Sequence, residues 1–320
     1  MNALAAEPLR VASLGMGWWS DVLADAINRS GKLTITACYS RSEEKRAAFA
    51  AKYGCRAVPS YEAILADKDI EAVINTTPNG VHLETTRAAA DAGKHVFLDK
   101  PIANTVSDGR RITELCRKAG VVLALGYQRR RENQFRWIKR QIDEGVFGKL
   151  VNAEANISRD RLGKIDLGSW RYQAAGMPGG VMLQIGIHYT DVLDYLIGPV
   201  KAVSGQFARL VLPGDNPDVA SLVLQHENGA LSTHHFGNEI DFFGRHDVLD
   251  RAAVSPRSDR GIPRSQRHSQ GTQRPRHRHS HARFSAGHAL RHRERWTWRH
   301  RRLSGLRLAR GLANSRYVSP

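Results

Sequence analysis

Three small groups of residues in this chain have the types and spacing for chemistry. The first is Gly15-Met16-Gly17-Trp18-Trp19-Ser20, which follows an apolar run and opens a helical pattern. Glycine at 15 permits a tight turn, and glycine at 17 lets the backbone approach a pyrophosphate at the N-terminus of the next helix. Trp18 and Trp19 fall on the same turn. Ser20 stands where a third glycine or alanine is usual, which predicts looser packing of helix on strand. A lone G-x-G is weak evidence; its place between strand and helix is what makes it a dinucleotide turn rather than a plain structural one. At the end of the next β-rich run comes Tyr39-Ser40-Arg41-Ser42, with no acid for a ribose 2′-hydroxyl. A guanidinium and hydroxyls suit a 2′-phosphate, so NADP is favoured over NAD, read by Ser40 and Arg41. The alternative for Arg41 is a surface arginine at a helix start.

The second group is Asp99-Lys100-Pro101, at the C-terminal end of a predicted strand, where open α/β sheets line their ligand crevice. A partly desolvated lysine beside a cationic nicotinamide would have a lowered pKa and could shuttle a proton. Taken alone, such a lysine is more often a solvated strand-end charge. The third group lies after Gly179-Gly180, where Gln184, His188 and Asp191 fall at i, i+4 and i+7 on one helical face. Imidazole is the usual acid/base near neutral pH, and an amide one turn earlier can orient it or bind a substrate hydroxyl. The plainer reading of His188 is a helix histidine bonded to backbone, and Asp191 reads as structural. Only two of these three are good metal ligands, so no metal site is expected.

The elements that must position these groups alternate in type. Strands are expected at 9–15, 33–39, 71–77, 94–100 and 121–127, with helices at 20–29, 42–53, 81–93 and 106–119 between them. That alternation implies a doubly wound parallel sheet. From about residue 149 the pattern changes to a long strand at 149–159, a helix at 180–196 and strands at 200–212, 219–227 and 230–236. Glu227-Asn228-Gly229 makes a hairpin turn between the last two. This predicts an α+β domain with a mostly antiparallel sheet. The expected divisions are 1–128, 129–240 and 241–320.

The 320 residues carry 48 Lys and Arg against 31 Asp and Glu, a net +17, and their apolar content suits a globular chain. No apolar run approaches the ~20 residues of a membrane span. The N-terminus lacks a signal-peptide pattern, which makes a cytoplasmic location the expectation. Cys38, Cys55 and Cys116 are too few for a disulfide framework or zinc site. The charge is uneven. Residues 241–320 hold 19 Arg and no Lys against 5 acids, a net +14, with 8 of the 14 His and few large apolar residues. Such a composition is expected to be disordered.

Several motifs, in order, resemble the Gfo/Idh/MocA oxidoreductases: GMGWWS, TPNGVH (77–82), DKP (99–101), GYQRR (126–130), Trp170-Arg171 and GGVMLQIGIHYTDVL (179–193). The resemblance runs from about residue 9 to 233. It implies a Rossmann domain, an α/β domain whose open sheet supports homo-oligomers, and NAD(P)-dependent action on sugars, cyclitols or related hydroxy compounds. It implies that Lys100 and His188 handle the proton and that Gln184 orients the substrate, standing where the family often has aspartate. It further places Thr77, Pro78, Asn79, His82 and Gln128 beside the cofactor, with Arg171 and Tyr172 near the substrate alongside Asp191. Asp99 replaces the family's glutamate, and Gln184 cannot take a proton, so a full Lys–Asp–His relay is not expected; a cofactor-binding but inactive sensor is the alternative this leaves.

After Thr233 the resemblance predicts further strands, but the chain turns to stretches such as RSQRHSQGTQRPRHRHSHARF. Three readings compete: a basic arm for nucleic acid, a histidine-rich metal-binding tail, and out-of-frame translation of a GC-rich gene. Arginine without lysine favours the last. Non-specific phosphate affinity is expected in any case. Lost strands would leave an incomplete sheet with an open edge and uncovered apolar surface.

Overall fold

The computed structural model of the protein describes residues 7–158, 166 and 168–237. The basic segment 241–320, its expected disorder and any strands beyond Gly237 lie outside the described residues.

Six parallel strands form the first sheet: β1 (Leu9–Leu14), β2 (Leu33–Tyr39), β3 (Arg56–Ala57), β4 (Ala72–Asn75), β5 (His95–Leu98) and β6 (Leu123–Leu125), in spatial order 3-2-1-4-5-6. Helices α1 (Trp18–Ser30), α2 (Glu43–Tyr53), α3 (Tyr61–Ala66), α4 (His82–Asp91) and α5 (Val106–Ala119) connect them. The helix ends follow local chemistry. Ser42 caps α2 by accepting from Lys45 N, and Thr105 caps α5 by accepting from Asp108 N. Two apolar layers cover the sheet. One gathers Leu14, Val73, Leu98 and Ile112, the other Val11, Ile27, Ile35 and Phe49. β1 and β4 are neighbours at the point where strand order reverses, which is where such sheets open a ligand crevice. The parallel sheet is as expected. The short β3 and α3 were not foreseen.

A helix unforeseen in the sequence, α6 (Asn133–Asp143), leads to the second sheet. Its strands are β7 (Asn152–Ser158), β8 (Val200–Ala208), β9 (Val219–His226) and β10 (Leu231–Gly237), in order 7-10-9-8. β8, β9 and β10 pair antiparallel, whereas β7 pairs parallel to β10, so the sheet is mixed. The β9–β10 hairpin turns at Gly229, with φ +85°, as its Asn-Gly signal predicts. The expected helix at 180–196 divides in two. Met182–Gly186 is a π-helical turn and Ile187–Ile197 is α7. α7 lies on the sheet, burying Tyr189, Val192, Leu193 and Leu196 against Ala155, Leu222, Leu224 and Phe236.

Candidate active site

The glycine turn joins β1 to α1. Gly15 has φ +88°, and a Cβ there would meet the backbone of Thr76 and Thr77 at 3.0 Å. The residue is therefore fixed by the close approach of the loop after β4. Gly17 differs: its backbone is extended and a Cβ on it would meet nothing within 4 Å. It precedes α1 with no side-chain cap, so open space faces the helix's first N–H groups, an arrangement that fits a diphosphate. Ser20 does not loosen the packing as expected. It is buried and donates its hydroxyl proton to Gly17 O at 2.6 Å. Tyr39 O accepts from Gly15 N, which brings the end of β2 beside the turn. There Ser40 Oγ donates to Ser42 O, and Arg46 donates to Ser40 O, fastening the loop. Arg41 is exposed.

Beyond β4, Thr77 donates from both N and Oγ1 to Asn75 Oδ1, and Pro78 is exposed. Asn79 is buried and shares its amide between Asn104 Oδ1 and Met177 Sδ, both at 3.2 Å. His82, expected beside a cofactor, lies beneath the loops after β4 and β5. It is 1% exposed, with its two ring nitrogens 3.0 Å from the carbonyls of Thr77 and Pro101. It staples the loop after β4 to the loop after β5. Burial pushes its pKa below the ordinary histidine value, the carbonyls opposing.

Lys100 follows β5 and donates from Nζ to Gln184 O at 3.3 Å. Beside it, the Asp99 carboxyl packs over Gly126, where a Cβ would come within 3.0 Å of Oδ1. Burial raises the Asp99 pKa, with Lys100, Arg171 and the Trp19 indole N–H pulling it back. Gln184 sits in the π-helical turn, buried, and donates from Nε2 to Arg171 O at 3.0 Å. His188, in the first turn of α7, is also buried. The regular one-face spacing expected for Gln184, His188 and Asp191 is altered, because a π turn is wider than an α turn. Asp191 turns away from substrate chemistry: both carboxylate oxygens engage the Arg130 guanidinium, with Nε–Oδ2 at 2.8 Å. Arg171 and Tyr172 occupy a short 3₁₀ turn and line a shallow recess with Gly180, Gln184, Leu212 and Asn216. The Asn216 amide donates to Tyr172 O at 3.4 Å.

Buried polar atoms without a hydrogen bond of ordinary geometry occur at Asp99 Oδ1, next to Lys100 in the chain, at Gln184 Oε1, whose residue accepts from Lys100 at its carbonyl, at Trp19 Nε1, which bears on Asp99, and at Gln128 Oε1. Each such group costs roughly 1–3 kcal/mol, so their convergence marks a place that a polar ligand completes. Asn216 and Tyr127 were not singled out as site residues from sequence, and Asp99 was given no role of its own. Tyr127 lies among them, its phenol pushed up to about 12 by burial and the Asp191 charge. Asp99 was legible from its place beside Lys100. Asn216 sits in the turn-rich run Pro213–Pro217, which signals a loop but not its position. Among the described residues no cluster of three or more potential metal ligands occurs, and no helix is long and apolar enough to cross a membrane.

A glycine turn at the switch point of a 3-2-1-4-5-6 sheet, with polar groups converging next to it, defines a dinucleotide-binding α/β protein with an appended mixed sheet. Residues 9–127 match the oxidoreductase family Gfo/Idh/MocA, NAD-binding Rossmann fold, and residues 135–242 match the Gfo/Idh/MocA C-terminal domain. The chain belongs to the Gfo/Idh/MocA oxidoreductase family. It is 31% identical over 213 residues to dTDP-3,4-didehydro-2,6-dideoxy-alpha-D-glucose 3-reductase of Streptomyces violaceoruber, covering 65% of this chain and 61% of that protein. It is 31% identical over 201 residues to scyllo-inositol 2-dehydrogenase (NADP(+)) IolW of Bacillus subtilis (strain 168), covering 63% and 54%. The chain thus spans less than two thirds of these curated relatives. Among solved structures, a protein from Desulfitobacterium hafniense assigned as an NADPH-dependent oxidoreductase superposes with TM-score 0.71 at 34% identity, over 74% of this chain and 68% of its own.

Proposed function

We propose that the protein is an NAD(P)-dependent oxidoreductase that exchanges a hydride with a sugar, cyclitol or related hydroxy or keto compound. The observation that carries this reading is the open glycine turn together with the unpaired buried oxygens of Asp99 and Gln184 on either side of Lys100. The names of its relatives, sugar and cyclitol reductases and dehydrogenases, support the substrate class. A nicotinamide cofactor held at the glycine turn would supply the hydride chemistry. The rest falls to the chain. Lys100 Nζ, held toward the Gln184 carbonyl, meets the reacting hydroxyl and moves its proton together with His188. Gln184 Oε1 accepts from a neighbouring substrate hydroxyl, while its amide nitrogen gives one of its two protons to Arg171 O. Gln184 cannot carry a proton, so it orients rather than relays.

Gly15, Gly17, Trp18, Trp19, Thr77, Pro78 and Gln128 border the cofactor, and Asn79 acts by holding their loop. NADP is preferred over NAD because Arg41 is exposed at the end of β2 and no acid stands there. The chain divides into a cofactor-binding part, 1–128, and a substrate part, 129–240. Titrating the protein with NADPH and NADH while following tryptophan fluorescence tests the reading, since Trp18 and Trp19 lie on the turn. Saturable quenching is expected, tighter for NADPH, with the difference lost in Arg41→Ala. Lys100→Met should keep NADPH affinity and lose turnover by about 10²–10⁴-fold. Absence of cofactor binding in the folded chain refutes the reading; binding without turnover in the unaltered chain instead favours a sensor.

A further inference from the structure

Resting on that reading, we propose that Asn104 is a positioning residue. It ties the turn that carries Arg171 and Tyr172 to the loop bordering the cofactor, so that an occupied cofactor site orders the substrate side. The Asn104 amide bonds in two directions. Its Oδ1 accepts from Asn79 Nδ2 at 3.2 Å, and its Nδ2 donates to Gly176 O at 3.1 Å. The two bonds fix which end of the amide is which, since exchanging oxygen and nitrogen would set donor against donor and acceptor against acceptor. Asn79 gives the other proton of the same nitrogen to Met177 Sδ at 3.2 Å, and both residues are buried. The partners of Asn104 lie 25 and 72 positions away in the chain, so the contact is tertiary rather than local.

Asn104 stands on a firm mount. It directly precedes Thr105, the cap of α5, and Ala103 is buried in the apolar layer beneath. Ile102 packs against α5 at Gly109, where a Cβ would come within 3.2 Å of it. His82 holds the same stretch through Pro101 O. Gly176 belongs instead to a short turn with local bonds: Tyr172 N donates to Ser169 O, and Gly176 N and Met177 N both donate to Gln173 O. Gln173, Ala174 and Ala175 are exposed. Short exposed turns held by local bonds are the parts of a fold that open at least cost. The two asparagines grip this one at its buried end. From there the turn bears on the chemistry, because Arg171 O accepts from Gln184 Nε2. A dinucleotide against Thr77 and Pro78 restrains the loop that ends in Asn79, and the two amides pass that restraint to residues 170–177.

The test is hydrogen exchange of the full chain, read by mass spectrometry on peptides covering 170–177, with and without saturating NADPH. NADPH is expected to slow these amides by about 5-fold or more. Asn104→Asp keeps the side chain's size and the acceptor for Asn79 but lacks the donor for Gly176 O; Asn104→Leu lacks both. Each should still quench with NADPH at an affinity close to that of the unaltered chain, yet lose the slowing. A merely structural loss would speed exchange with and without NADPH alike and leave their ratio unchanged, so the ratio decides. Quenching without slowing at 170–177 in the unaltered chain overturns the proposal, as does slowing that persists in either variant. Loss of NADPH binding in both variants also overturns it, because Asn104 would then belong to the cofactor site itself. All three outcomes leave the oxidoreductase reading standing; no quenching by the folded, unaltered chain refutes that reading and this inference with it.

Discussion

At the scale of single residues, the two glycines of the first turn do different work. Gly15 is held at positive φ with loop backbone against it, so Gly15→Ala meets both strain and collision. That variant should lose about 1–3 kcal/mol of stability. Gly17 is extended and faces open space, so Gly17→Ala should cost no more than about 1 kcal/mol, as a weaker helix cap. Its Cβ would instead stand where the diphosphate approaches. Thermal melts and NADPH titrations of the two variants separate these effects. Gly17→Ala should melt close to the unaltered chain yet lose cofactor affinity; a Gly17→Ala protein that binds NADPH normally would remove the turn from the cofactor site. Sequence spacing marked both glycines but not their division of labour, which depends on Thr76 and Thr77, some 60 residues away.

Among the elements, β10 carries the feature with the clearest pH consequence. His234 is wholly buried between Tyr189 and Phe236, its Nδ1 3.4 Å from Thr190 Oγ1 and its Nε2 unpaired. Burial, helped by the His235 charge, lowers its pKa from 6.5 to about 3. Above pH 6.5 the ring is neutral in both folded and unfolded chains and costs nothing. As pH falls below 6.5 the unfolded chain takes a proton that the folded chain refuses until about pH 3. Stability therefore drops by about 1.4 kcal/mol per pH unit across that window, with His82 adding in the same direction. His234→Leu keeps the apolar packing and removes the titration, so its acid-unfolding midpoint should move to lower pH. An unchanged midpoint would mean that other groups set the acid limit. The sequence predicts a strand at 230–236, but not that position 234 faces α7, because facing depends on which side the helix packs.

At the scale of the whole molecule, the second sheet ends, among the described residues, in an exposed edge strand. β8 is open to solvent along nearly its whole length, and Val203 and Phe207 remain 63% and 53% exposed. They pair with Leu224 and Ala220, which are buried, so they share the face that α7 covers further in. The helix layer does not reach β8. An apolar edge of this kind invites pairing with another chain. Replacing Val203 with Thr and Phe207 with Ser should therefore increase the monodisperse fraction in light scattering at matched concentration. A rise in aggregation instead would show that these residues are covered in solution and needed for packing. The sequence predicts uncovered apolar surface from strands missing after Thr233, which lie outside the described residues; among the described residues the exposed apolar side chains of this sheet include Val203 and Phe207 on β8.

What the sequence determined by itself is the local part: the order of strands and helices in the first sheet, the caps at Ser42 and Thr105, the hairpin at Gly229 and the chemical types at the site. Each follows from hydrogen bonding and side-chain period within a few residues of chain. The tertiary structure alone decided which distant segments meet. It paired β7 parallel to β10 across some 80 residues, gave His82 to two loops and turned Asp191 onto Arg130. Those outcomes depend on burial and charge balance between segments far apart in the chain, which no linear pattern records.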